Sequence, residues 1–347
     1  MTGATTGVTL TASDGERLEF GCAPGQSVLD AAAEAGAALP ASCRRGTCGS
    51  CRAAVTGGPY EHGSCSPQAL PPDRRERGEV LLCRTFPGGD RLEAALPYPS
   101  SRIIHGGVPE REGVITALET VARETVRLEL RVEPDDAAGD GCQFDPGQFM
   151  DLRVPGQDYT RAYSLANTGN WEGCLEFFVR LRPGGLFSGW LRDGARVGDR
   201  LTVRGPQGAF GLRETGPRPR WFVAGGTGLA PLLSMVRHMA EWQEPQPARL
   251  FLGVNEEAEV FGLPELKAVA CELPGFSYEI CVRRPGPSWP GPPATPVDRV
   301  AALLPDAPVP PDLYVCGPPP LVEAVAGAAA AGGLAPERVH HERFLPT

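Results

Sequence analysis

Residues 41–51 read ASCRRGTCGSC: Cys43, Cys48 and Cys51, with only small residues and arginines between them. The spacing is C-x4-C-x2-C, which sets three thiols around a common centre and leaves it one short of four. Two later cysteines compete for the fourth place. Cys83 closes the apolar run EVLLC and is expected on a strand beside the loop. Cys65 sits in the polar turn HGSCSPQ and is expected to be a free thiol. The fourth ligand is therefore placed at Cys83.

With a distant fourth cysteine, that spacing is the plant-type [2Fe–2S] pattern. Four thiolates around two irons leave the oxidised centre anionic, and only a loop of small residues wraps it closely. Gly46, Thr47, Gly49 and Ser50 leave backbone N–H groups free to point at sulfur, and Arg44, Arg45 and Arg52 add positive field. A structural zinc site usually carries two C-x2-C pairs, and this stretch has one.

A chain of 347 residues, 41% apolar, has room for two or three cored domains. Net charge is −9, so no broad nucleic-acid surface is expected. Lys267 is the one lysine, and in so arginine-biased a chain a lone Arg carries little information. The start, MTGATTGVTLTASDG, lacks the basic and apolar segments of a signal peptide. No window offers the roughly 18 apolar residues of a membrane span. Eleven cysteines without a secretory signal point to reduced thiols and metal ligands in the cytoplasm, not to a disulfide framework.

Ahead of the cysteine loop, Val8 and Leu10, then Leu18 and Phe20, alternate with polar residues about Asp14-Gly15, the pattern of a β-hairpin. SVLDAAAEAG follows as a short helix capped by Ser27 and Asp30 and ended at Gly36. PYPSSRIIHGG, from Pro97, reads as a linker. ETVRLELRV, PGQFMDLRV, YTRAYSLAN, GCLEFFVRL and DRLTVRGPQGAF are short strands divided by Gly and Pro, an antiparallel barrel or sandwich. Within them RAYS, Arg161 to Ser164, offers an Arg for phosphates, a Tyr to stack on a flavin ring and a Ser for a flavin nitrogen. Taken alone it is an edge strand with a surface Arg. VRLRPGGLFSGWL leads through Gly184 and Gly185 into a helix near Phe187 and Ser188, whose free N–H groups suit a pyrophosphate.

WFVAGGTGLAPLLSMVRHM is strand, glycine loop, helix, and Gly225, Gly226, Thr227 and Gly228 let the backbone approach a phosphate. Pro231 stands where the last glycine of the full dinucleotide fingerprint belongs. RLFLGV, FSYEICV and DLYVCG alternate with helices over LPELKAVA, PVDRVAALL and PPLVEAVAGAAAA, which makes a parallel α/β sheet. Asn255, Glu256 and Glu257 end the RLFLGV strand. An acid there, placed at Glu256, binds a ribose 2′-OH and favours NADH over NADPH. Cys316 and Gly317 lie at a strand's carboxyl edge, where open α/β sheets bind ligands.

The order of thiol loop, RAYS barrel, AGGTGLAP sheet and CGPP edge resembles the ferredoxin–NADP reductase superfamily with a fused N-terminal [2Fe–2S] module. GSCSPQALPP, VLLCRTFP, ALPYPSSRI, GPQGAFGLRE, WFVAGGTGLAP and HERFLPT carry the likeness over essentially the whole chain. Together they resemble the reductase components of soluble methane monooxygenase and of related propane, alkene and phenol di-iron monooxygenases.

The resemblance implies a multidomain α+β and α/β protein. Its parts are a β-grasp [2Fe–2S] ferredoxin domain over residues 1–100, an antiparallel β-barrel FAD domain over 106–214 and a parallel α/β NADH-binding domain over 215–347. It implies Cys43, Cys48, Cys51 and Cys83 as metal ligands. Arg161, Tyr163 and Ser164 hold FAD, with Gly185 and Ser188 at its pyrophosphate. Gly226, Thr227 and Gly228 hold NADH phosphates, and Cys316 and Gly317 lie near the nicotinamide. Glu342 and Phe344 match the superfamily's C-terminal Glu and aromatic beside the flavin, Phe standing where the plant enzymes have Tyr. Ser164, Cys316 and Glu342 are the expected catalytic residues. The implied activity is that of an NADH:acceptor oxidoreductase. Electrons pass from NADH to FAD, to the [2Fe–2S] centre, and from this monomer to a separate di-iron hydroxylase. A reductase for a Rieske-type aromatic dioxygenase has the same parts and is the alternative. A carrier with a defunct flavin module is the reading from another class, and intact RAYS and GGTG weigh against it.

Overall fold

The computed structural model describes residues 5–135 and 139–344. The chain divides into two compact units, Met1–Pro109 with Gln207–Ala209, and Glu110–Pro206 with Phe210–Thr347.

In the first unit β1 (Thr6–Thr11) and β2 (Arg17–Cys22) pair antiparallel, from Thr6↔Cys22 to Thr11↔Arg17. Their turn closes at Gly15, whose φ of +89° suits glycine. Helix α1 (Val28–Glu34) is capped as the sequence implied: Ser27 Oγ accepts from the Asp30 N–H at 3.2 Å and donates to Asp30 Oδ2 at 2.7 Å. Three further strands follow, β3 (Arg52–Gly57), β4 (Glu79–Leu81) and β5 (Arg91–Ala95). They complete a sheet in the order β2-β1-β5-β3-β4, with β1 and β5 parallel. Val28, Leu29 and Ala32 of α1 share one buried core with Val8, Leu10 and Leu92 of the sheet, a β-grasp arrangement.

Two details differ from the sequence reading. Cys83 is not on a strand: β4 stops at Leu81, and Leu82–Arg84 is one 3-10 turn. The Leu82 N–H is taken by the Cys51 carbonyl at 2.9 Å, and Thr85 Oγ folds back on the Leu81 carbonyl at 2.8 Å. The stretch PYPSSRIIHGG is packed into this unit. Tyr98 and Ile103 are buried, and Ile104–His105 pairs with Ala37–Ala38. Those apolar side chains outweigh the Pro, Ser and Gly around them.

The second unit opens with an antiparallel barrel. Its strands are β6 (Glu110–Ala122), β7 (Thr125–Val132), β8 (Phe149–Arg153), β9 (Thr160–Ser164), β10 (Cys174–Arg180) and β11 (Arg200–Gln207). The order is β9-β8-β11-β6-β7-β10, and a bridge between Leu165 and Phe177 joins the two ends. Leu128, Leu130, Leu152 and Phe177 fill it, and α2 (Leu186–Asp193) adds Phe187 and Leu191 to the same core.

A parallel sheet completes this unit: β12 (Arg220–Gly225), β13 (Ala248–Val254), β14 (Phe276–Val282), β15 (Asp312–Gly317) and β16 (Val339–Arg343), in the order β14-β13-β12-β15-β16. Helices α3 (Leu229–Glu241), α4 (Leu263–Glu272), α5 (Pro296–Leu303) and α6 (Pro319–Ala331) connect the strands. Helix α3 is apolar on most sides because it lies between sheet and barrel. Ser234 Oγ donates to the Asn167 carbonyl at 2.6 Å, and Arg237 to the Ala166 carbonyl at 2.9 Å. Among the described residues no helix is long and apolar enough to cross a membrane.

Candidate functional site

The thiol loop follows α1 and is shaped by glycines. Gly46 has φ +77°, and a Cβ there would lie 2.8 Å from Arg84 Cγ and 3.1 Å from Cys65 Cβ. Cys43 Sγ accepts the N–H groups of Arg45 and Thr47 at 3.4 Å and of Cys48 at 3.3 Å, and Cys48 Sγ accepts that of Ser50 at 3.5 Å. On the far side the Gly46 N–H donates to Cys83, and the Cys83 N–H to Cys51.

The four thiols form two couples, Cys43 with Cys48 and Cys51 with Cys83. The Cys48 thiol, then the Thr47 and Arg45 donors, pull Cys43 down to about 4, while Cys48 is pushed up by the same bond. Cys83 is lowered by its bond to Cys51, which is raised in turn. Among the described residues no three such side chains converge on one point, as ligands of a single ion do. Two couples ringed by N–H donors fit a centre of two irons, each holding two thiolates. All eleven cysteines are free, and Cys65 belongs to neither couple.

In the barrel, β9 sets Arg161 and Tyr163 on one side and Ser164 on the other. The Tyr163 ring lies 5.1 Å from that of Phe187, which brings RAYS to the first turn of α2. Gly185 is the N-cap of that helix, so no side chain occupies its leading N–H groups. Ser188 Oγ is turned back to accept the Arg182 N–H at 2.9 Å, which fixes the glycine turn. The Arg161 guanidinium rests over Tyr159 at 5.4 Å and donates to the Thr160 carbonyl at 2.9 Å. An arginine on the same strand face as a desolvated tyrosine, which itself packs at open helix N–H groups, suits a pyrophosphate joined to a flat ring.

In the sheet, β12 ends at Gly225 and runs through the 3-10 turn Gly226–Gly228 into α3. A Cβ on Gly228 would lie 2.2 Å from the Cys316 carbonyl oxygen, so this turn is pressed onto the end of β15. Cys316 is fully buried, and burial pushes its thiol well up. It pairs across β15 and β16 with Glu342, and the Phe344 N–H donates to the Gly317 carbonyl at 2.9 Å. Ser164 Oγ of the barrel donates to Glu342 Oε2 at 3.2 Å. The fold thus gathers Ser164, Cys316, Gly317, Glu342 and Phe344 from three distant stretches of chain. Desolvation pushes the Glu342 carboxyl up to about 7, with the Ser164 hydroxyl opposing it.

At the carboxyl end of β13, Glu256 has both oxygens engaged. Arg123 donates to Oε2 at 2.7 Å and Arg284 to Oε1 at 3.0 Å. Glu257 points elsewhere, accepting the Gly286 N–H at 2.8 Å and the Ser288 hydroxyl at 3.2 Å. A group bound by Glu256 therefore also meets two guanidiniums. Glu256→Ala is expected to free both for a 2′-phosphate, and charge-assisted bonds of about 1.5–3 kcal/mol correspond to a gain of roughly tenfold or more in the NADPH:NADH ratio of kcat/KM. Steady-state ferricyanide reduction with each nucleotide checks it, and an unchanged ratio places the 2′-position elsewhere.

Sequence reasoning missed the ionic seam between barrel and sheet. Glu176, buried in β10, pairs with Arg237 of α3 at 2.6 Å and with Arg127 at 3.2 Å, and Arg127 reaches Glu265 of α4 at 3.5 Å. Arg123 also bonds Glu259 at 3.1 Å. The available signal was Glu176 itself, one charge inside the apolar run CLEFFV, which needs a partner when buried.

Residues 11–88 match the family model for a 2Fe-2S iron–sulfur cluster binding domain. Residues 112–211 match that for an oxidoreductase FAD-binding domain, and 222–327 that for an oxidoreductase NAD-binding domain. The chain is 44% identical over 251 residues to methane monooxygenase component C of Methylosinus trichosporium, 72% of this chain and 73% of that one. It is 35% identical over 324 residues to the toluate 1,2-dioxygenase electron transfer component of Pseudomonas putida, 92% of this chain and 93% of that one. The solved structure of the Amycolatopsis cytochrome P450 reductase GcoB superposes with a TM-score of 0.72 at 32% identity, covering 98% of this chain and 99% of that one. The chain belongs to the oxidoreductase family that joins an N-terminal [2Fe–2S] domain to FAD- and NAD-binding domains, the family of monooxygenase and dioxygenase reductase components.

Proposed function

We propose that this protein takes electrons from NADH and delivers them to the di-iron hydroxylase of a soluble monooxygenase, working as a cytoplasmic monomer. When bound, FAD accepts a hydride and the [2Fe–2S] centre carries single electrons, so together they turn a two-electron donor into a one-electron supply. The observation that carries the reading is the meeting of Ser164 with Glu342 above the buried Cys316, beside the glycine turn. Cys43, Cys48, Cys51 and Cys83 are the proposed cluster ligands. Arg161, Gly185 and Ser188 place the flavin phosphates, and Tyr163 flanks its ring. Gly226, Thr227 and Gly228 seat the nucleotide phosphates, with Glu256 at the ribose. Ser164 presents its hydroxyl where Glu342 holds it. Cys316, Gly317 and Phe344 wall the nicotinamide seat against water.

The 44% identity with a methane monooxygenase component supports a di-iron partner over a Rieske one. The test is anaerobic reduction by NADH, followed by mixing with an oxidised di-iron hydroxylase or a Rieske oxygenase. Reoxidation of the cluster signal by the first and not the second is expected, and the reverse order would overturn the assignment.

Glu342 also gives the fold a pH dependence. Its folded value of about 7 lies above the usual 4.5, so the folded chain keeps a proton that the unfolded chain sheds. Stability from this group falls as pH rises from 4.5 to about 7, and the penalty is complete above that. Urea midpoints of wild type and Glu342→Gln should diverge between pH 5 and pH 8, the glutamine variant gaining at the higher pH. A constant offset would show that the carboxyl titrates normally.

A further inference from the structure

The Tyr98 hydroxyl has no hydrogen-bond partner among the described residues, and the side chain is 1% exposed. Tyr98 follows β5, whose antiparallel pairing with β3 includes Ala54↔Ala95. Past Ala95 the chain stays in line with β1, the Leu96 N–H donating to the Thr11 carbonyl at 2.8 Å and the Ser13 N–H to the Tyr98 carbonyl at 2.9 Å. The register carried three residues beyond β5 sets Tyr98 opposite Cys51, which immediately precedes β3. The other edge of β3 pairs Arg52 with Leu81, and this brings Cys83 beside the same cysteine. Tyr98, Cys51 and Cys83 belong to one buried core. A buried tyrosine O–H usually finds an acceptor, and phenylalanine fills an apolar site as well without needing one. Here the chain's own described atoms supply no acceptor.

We propose that the Tyr98 hydroxyl donates its hydrogen bond to a sulfur of the [2Fe–2S] centre on the Cys51–Cys83 side. This rests on the four thiols holding a two-iron centre. Backbone N–H groups serve both couples, and Tyr98 adds a side-chain donor on the Cys51–Cys83 side. A donor to sulfur stabilises the more negative, reduced state and raises the reduction potential. Tyr98 is thus a positioning residue that makes the centre a better electron acceptor.

The test compares full-length holoprotein carrying Tyr98→Phe with one carrying Tyr60→Phe, a half-buried tyrosine packed against the same core. Redox titration followed by electron paramagnetic resonance reads the potential. Electron–nuclear double resonance after transfer to D2O reads exchangeable protons near the centre. Tyr98→Phe should lower the cluster's reduction equilibrium about tenfold, about 59 mV for one electron, and remove one coupled exchangeable proton. Tyr60→Phe should change neither. An unchanged potential, an equal shift in both variants, or a retained proton coupling overturns the proposal. A Tyr98→Phe protein that never assembles the centre overturns it too, because the hydroxyl then serves folding. Wild-type protein lacking iron–sulfur absorbance would instead sink the cluster reading itself.

Discussion

Cys83→Ala is expected to yield a yellow protein whose flavin is still bleached by NADH but whose iron–sulfur absorbance is gone. Cys83 shares a couple with Cys51 and takes the Gly46 N–H. Its loss leaves one iron with a single protein thiolate, and a four-ligand centre does not assemble on three. Ferricyanide accepts electrons from the flavin directly and should keep its rate, whereas cytochrome c reduction through the cluster should fall to background. Cys65→Ala is the matched control. That thiol lies outside both couples although its Cβ packs beside Gly46. Full cluster content in Cys65→Ala with none in Cys83→Ala confirms the ligand set, and the opposite pattern reassigns the fourth place.

Gly228→Ala is expected to cripple nucleotide use without touching either cluster or flavin residues. The added methyl would fall 2.2 Å from the Cys316 carbonyl oxygen and 2.6 Å from its carbon. Neither atom is the end of a flexible side chain, so β15 or the first turn of α3 must move. Overpacking of this kind costs about 1–3 kcal/mol. A displacement near 1 Å at the nicotinamide seat costs about a hundredfold in hydride transfer. Stopped-flow flavin bleaching by NADH measures the rate, and thermal unfolding measures the stability. Gly226→Ala separates sterics from backbone strain. Gly226 has φ +53° but open space where its Cβ would go, so its substitution should cost much less. Equal effects from the two would remove the steric argument.

Much of this was legible because local signals agreed with the fold. Asp14-Gly15, the Ser27 cap and the alternation of strand and helix after Trp221 each specify their element within a few residues. Three parts were not legible. Strand β6 is the longest in the barrel, yet along it only Gly113 and Ile115 are buried, and two irregularities break its register. Its side chains therefore show no steady alternation. Strand β16 reads VHHER, with every residue half-buried at a sheet edge, so no apolar pattern marks it, although it delivers Glu342. Cys83 was placed on a strand because EVLLC is apolar throughout. The bond from Leu82 to Cys51, made across a long loop, turns the chain instead.

The residues were more readable than their company. Glu256 was picked out for its place after a strand, but its two arginines come from a barrel turn and from the end of β14. Ser164 and Glu342 are far apart in sequence, and only the closed fold shows them sharing a hydrogen bond.

The seam of arginines and glutamates has a consequence for traffic. Swinging the barrel away from the sheet would strip Glu176 of Arg237 and Arg127 of Glu265 in one movement. Arg123 would lose Glu256 and Glu259 in the same movement, so these ionic contacts are broken together and the joined form is the resting one. An incoming dinucleotide therefore meets barrel and sheet already joined, and the seat it finds is shaped by how these ion pairs pin the two together.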